Sequence, residues 1–160
     1  MHIAVYQNRP DVAAVVHAHP PVATAFAVCR RPIRRRYLPE LLINIGHVPV
    51  ADFAMPSTQD VPDSVLPYLA GGQAVKLANH GVLAWAGGLP DKAWQQPNAH
   101  TLLCDDLWSA FDKLEIVEYA ANMEINVARL GGGVELTDEQ VEQLLSLKGY
   151  YKQRFGKREP

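Results

Sequence analysis

The chain has 160 residues, of which 48% are hydrophobic and 20% charged, with a formal net charge of -2. That balance excludes a disordered tail, and no apolar run reaches the roughly 18 residues a spanning helix needs, nor does a basic, then apolar leader open the chain. Two cysteines, Cys29 and Cys104, are too few for a disulfide scaffold and fit a reducing, cytoplasmic setting, while the acidic balance offers nucleic acid no general attraction.

Residues 2–9 are expected to be the last turns of a helix, with Ile3 and Tyr6 sharing a face and Pro10 stopping it. Val12 to His17 is apolar and β-branched, the composition of a buried strand. Pro20 and Pro21 then open a helix to Cys29, proline being tolerated where the first N–H would go unused. Arg30, Arg31, Arg34, Arg35 and Arg36 form a basic cluster, matched near the end by Lys148, Lys152, Arg154, Lys157 and Arg158. Each is expected to be a solvated face, or else an anion site or subunit contact.

Leu38 to Ile45 reads as a helix or strand stopped at Gly46, and Val48 to Phe53 as a short edge strand. Asp60 to Leu69 reads as a short helix closed by Gly71 and Gly72. Ala74 to Ala78 and Gly81 to Trp85 are apolar strands expected to pair across a turn near His80. From Ala86 to Cys104, glycine, proline, glutamine and asparagine break the pattern, and a long surface loop or a disordered insert is expected. Asp105 and Asp106 should open a long helix with an apolar stripe at Leu107, Phe111, Leu114, Val117, Ala121, Ile125 and Ala128, stopped at Gly131 to Gly133. Thr137 and Gln140 form a capping box for a last helix. Strands mixed with helices argue for a layered α/β or α+β domain over residues 1–160.

The chemistry concentrates in three histidines. His17 and His19 are two apart at a strand end, so their rings can share a face and the rim of a core, where desolvation favours the neutral, metal-binding imidazole. His80 ends a second apolar strand, and would join them if the two strands are neighbours in the sheet. Three histidines with an open position suit a catalytic zinc, which acts as a Lewis acid, better than a closed structural site. Surface histidines, or a ring that only caps its turn, are the alternatives. His100 and Cys104 stand four apart, but read better as loop residues.

His17-Ala-His19-Pro20 after residues 9–16, Gly46-His-Val-Pro-Val50, and Leu77-Ala-Asn-His-Gly-Val-Leu83 together resemble the class II aldolase/adducin family, in its order and at its spacing. The resemblance implies a three-layer α/β/α domain around a mainly antiparallel sheet, with Zn2+ or another divalent cation on His17, His19 and His80. It implies a lyase: retro-aldol cleavage of a small phosphorylated ketose, or related hydroxy-carbonyl substrate, through a metal-stabilised enediolate in a homotetramer. Tyr150, by its place in the C-terminal tail, and Tyr37, near the tyrosine that a neighbouring subunit contributes, match the proton-transferring tyrosines of the family.

The family's preceding segment, with its phosphate loops and an acid/base glutamate, has no match here, and about eighteen residues at about 87–104 are an atypical insert. An N-terminally truncated member is therefore expected, slow or inactive unless another chain or a carboxylate such as Glu40 fills the gap. The other readings are an adducin-like binding or assembly module, the related sugar-phosphate epimerase, and a relic that folds poorly.

Overall fold

The computed structural model describes residues 1–34, 36–87 and 107–155, the last nine of these as helix backbone only. Helix α1 (His2–Asn8) leads into β1 (Val12–Ala18), and α2 (Pro21–Val28) starts on its proline as expected. The ambiguous apolar stretch is a helix, α3 (Pro39–Asn44), and the two-residue β2 (Val50–Ala51) comes after it. Helix α4 (Asp60–Val65) continues as a 3-10 turn over Leu66–Tyr68, where Pro67 removes a donor and the α-helical ladder gives way. Strands β3 (Ala74–Leu77) and β4 (Gly81–Gly87) form a hairpin, and the chain ends in α5 (Leu107–Arg129) and α6 (Asp138–Phe155). The expected insert at 87–104, with His100 and Cys104, lies outside the described residues but for Gly87, which closes β4.

The sheet order is β1-β4-β3-β2, antiparallel but for the parallel β3–β2 pair. Thus β1 does not lie beside β3, the arrangement expected to join the histidines. β4 is inserted between them, and His17 pairs with Leu83 while Leu77 pairs with Gly81. The histidines still meet, because His80 belongs to the hairpin turn that ends beside β1. β2 is shorter than the six-residue strand expected, since Pro49 breaks the donor ladder and Val48 instead bridges Ile33.

Side chains alternate between two cores. On one face Ala74, Val82 and Ala84 pack with Ala23 and Phe26 of α2, Leu41 of α3, and Leu114, Val117 and Ala121 of α5. On the other, Val15, Val75, Leu77, Leu83 and Trp85 pack with Val5 of α1, Val65 of α4 and Leu69. Helices cover both faces, giving the three layers, and every residue of β4 is buried. No helix among the described residues is long and apolar enough to cross a membrane.

The stripe predicted on α5 needs correction. Ala110, Leu114, Val117, Ala120 and Ala121 form the buried face, but Leu107 and Phe111 are exposed. Lys113 takes the intervening buried position, its Nζ donating to the Trp85 carbonyl at 3.1 Å. Apolar spacing alone could not reveal that a lysine stem lines the core.

Candidate metal centre

His17 sits one residue from the end of β1, and His19 just beyond it, where the chain turns into α2. His80 closes a tight turn, its N–H donating to the Leu77 carbonyl at 3.0 Å. Asn79 takes φ 55 there, a left-handed conformation that asparagine tolerates better than most residues. Gly81 comes next because nothing larger fits. A Cβ at that position would lie 2.5 Å from the Ala18 carbonyl oxygen, 2.5 Å from His19 Cδ2 and 3.2 Å from His17 Cε1.

The three rings therefore converge. Their centroids lie 4.9 Å apart for His17 and His19, 4.8 Å for His17 and His80, and 5.2 Å for His19 and His80. One nitrogen from each falls within 4.8 Å of the others, a cluster of potential metal ligands among the described residues. His17 Nδ1 is 2.9 Å from the Val82 carbonyl oxygen. A carbonyl only accepts, so Nδ1 carries the proton and Nε2 is left with a free lone pair, the usual way an outer hydrogen bond fixes a ligand's tautomer.

His19 Nε2 lies 3.1 Å from His17 Nε2. That separation suits a single N–H···N hydrogen bond. It is also near the about 3.3 Å edge of a tetrahedron with zinc–nitrogen bonds of about 2.0–2.1 Å. A third imidazole adds nothing to such a hydrogen bond, but it completes the donor set of a cation. Burial holds the His17 and His80 imidazoliums below the usual histidine range, and the charges of neighbouring histidines push the same way. Neutral rings are the form a metal needs. The donor set thus fits a divalent cation of zinc's type, with at least one coordination position left open.

Tyr37 is placed elsewhere. It lines a recess of about 460 Å³ with Phe26, Arg31, Glu124 and Arg129, and none of the three histidines borders that recess. Tyr150 lies on the part of α6 where side chains are outside the described residues. Glu40 lines a second recess with Pro20, Glu118 and Tyr119, and it is not in the histidine group. Within the arginine cluster, Arg36 pairs with Glu135 and Asp138, and Arg30 donates to the Ala27 and Val28 carbonyls at 2.9 Å and 3.1 Å. Both arginines serve local structure.

Comparison with known proteins gives concordant matches. The model for the class II aldolase and adducin N-terminal domain matches residues 1–125. The L-fuculose phosphate aldolase of Escherichia coli O6:H1 is 32% identical over 93 residues, 58% of this chain and 43% of that protein. The 3-oxo-tetronate 4-phosphate decarboxylase of the same organism is 29% identical over 96 residues, 58% of this chain and 45% of that protein. A solved L-fuculose 1-phosphate aldolase superposes with a TM-score of 0.71 at 31% identity, covering 91% of this chain and 59% of that one. The chain spans about half the length of these relatives.

Proposed function

The chain belongs to the class II aldolase and adducin family, and from that premise we propose that it binds a divalent cation, zinc first, on His17, His19 and His80. In this reading it serves carbon–carbon bond cleavage, in the manner of an aldolase, in a small phosphorylated ketose or related hydroxy-carbonyl compound. The observation that carries the proposal is the convergence of three imidazoles, from β1, the residue just beyond it and the β3–β4 turn, one with its tautomer set by Val82. The relatives support the substrate class: both named enzymes act on phosphorylated compounds, one as an aldolase and one as a decarboxylase.

A bound cation would supply Lewis-acid stabilisation of the negative charge that develops beside a carbonyl as the bond breaks. The protein's part is to hold three imidazole nitrogens in place and leave a position open to substrate oxygens. Proton transfer falls to Tyr150 and Tyr37. Tyr37 borders a different recess of its own chain, and it is the family resemblance that directs it toward the site of a neighbouring copy in a homotetramer. The setting is cytoplasmic, and residues 1–160 act as one domain.

Zinc analysis of purified protein, combined with release of dihydroxyacetone phosphate from a panel of ketose 1-phosphates, tests the reading. It predicts about one zinc per chain and cleavage abolished by chelator and restored by zinc. A protein that takes up no zinc and cleaves nothing would point instead to a binding or assembly module.

A further inference from the structure

Among the three histidines, His19 has the weakest local support. His17 lies within the β1–β4 ladder and is tied to Val82, and His80 is fixed by its hairpin turn. His19 is off the strand and exposed, and its ring hydrogen-bonds only to His17 among the described residues. Its position therefore depends on the segment that leads from it into α2. Pro20 and Pro21 have restricted φ and no N–H, so they transmit the placement of α2 back to His19 but offer no donor of their own.

The next two N–H groups are both held by one residue. Val22 donates to Glu118 Oε1 at 2.9 Å and Ala23 to Glu118 Oε2 at 2.7 Å. Glu118 belongs to α5, 96 and 95 residues away in sequence. Both carboxylate oxygens thus bind the first turn of α2, at the end where negative charge is favoured and helix donors would otherwise be orphaned. N-terminal clamps of this kind usually come from a neighbouring Ser, Thr, Asp or Asn, but α2 has no side-chain cap of its own.

We propose that Glu118 is a positioning residue for the histidine centre. By clamping the first turn of α2 to α5, it fixes through the two prolines where the His19 ring stands relative to His17 and His80. The inference rests on the reading of these histidines as a metal centre.

A cobalt titration of the whole chain, monitored by visible absorption, tests it alongside thermal melts. Wild type should bind one Co2+ with the intense bands of a four-coordinate site. Glu118→Ala should bind about tenfold to a hundredfold more weakly, the usual cost of losing an outer support, with bands shifted as His19 drifts. Glu118→Gln keeps one accepting oxygen and should fall between, so it carries the test if Glu118→Ala does not fold. Val117→Ala shortens a core side chain in the same turn of α5, and should lower the melting temperature while cobalt affinity and spectrum stay unchanged. Wild-type affinity and spectrum in the Glu118 variants would overturn the inference, as would an equal loss of affinity in Val117→Ala at equal loss of stability. Failure of wild type to bind cobalt would bring down the metal reading itself.

Discussion

At the level of single residues, the centre depends on a missing side chain as much as on three present ones. Gly81→Ala places a methyl group where the Ala18 carbonyl and both His17 and His19 rings already are. Zinc affinity should fall at least tenfold, by isothermal titration, with a lowered melting temperature. His17→Ala and His80→Ala should each leave purified protein with well under half an equivalent of zinc.

Lys76 gives a separate, metal-independent prediction. It has no exposed surface, its Nζ donates to the Val48 carbonyl at 3.0 Å, and it lies 5.9 Å from the Phe26 ring centroid. Burial, only partly offset by Glu124, pushes its pKa down to about 7. In the unfolded chain an ordinary lysine titrates near 10.4. Between those values the unfolded state holds a proton that the folded state lacks, so stability rises with pH across the window and the penalty is complete below it. Relative to Lys76→Met, wild type should gain up to about 1.4 kcal/mol per pH unit between about pH 7 and 10, read from urea midpoints. The grouping of His17, His19 and His80 was legible in sequence because their type and spacing mark candidate ligands, although the strand adjacency expected to join them was not. Lys76, Glu118 and the closeness of Gly81 were not, since each owes its role to a neighbour distant in sequence.

Among the elements, α5 shows where a pattern of apolar residues falls short. Steps of three and four identified a helix with a buried face, yet the face is rotated toward Ala110, Lys113 and Ala120, leaving Leu107 in solvent. Leu107→Ser should change stability by no more than about 0.5 kcal/mol, whereas Val117→Ala should cost roughly 2 kcal/mol in denaturant unfolding. The start of α6 was legible in full, because a capping box is local. Gln140 N–H donates to Thr137 Oγ1 at 3.2 Å, and Thr137 N–H to Gln140 Oε1 at 2.9 Å. Thr137→Ala should cost about 1 kcal/mol by the same measurement. Strand order was less accessible than strand identity. Ala74 to Ala78 and Gly81 to Trp85 were readable as a hairpin, although β4 runs on through Ala86 and Gly87, where a loop was expected, and nothing in their composition says which of the two lies against β1.

For the molecule as a whole, helices on both faces of a four-stranded sheet leave one end where β1 finishes and the β3–β4 hairpin turns. Family membership was visible from three short motifs, and the three layers followed from that resemblance. Two of the motifs, His17 to Pro20 and Leu77 to Leu83, hold the histidines that the fold brings together, while Gly46 to Val50 leads into β2. The most direct measurement is diffraction from zinc-loaded crystals at wavelengths on either side of the zinc absorption edge. One anomalous peak per chain is expected, within about 2.0–2.1 Å of a nitrogen from each of His17, His19 and His80. A loaded crystal with its zinc elsewhere, or with the three rings turned away from a common point, would contradict the shared-cation centre.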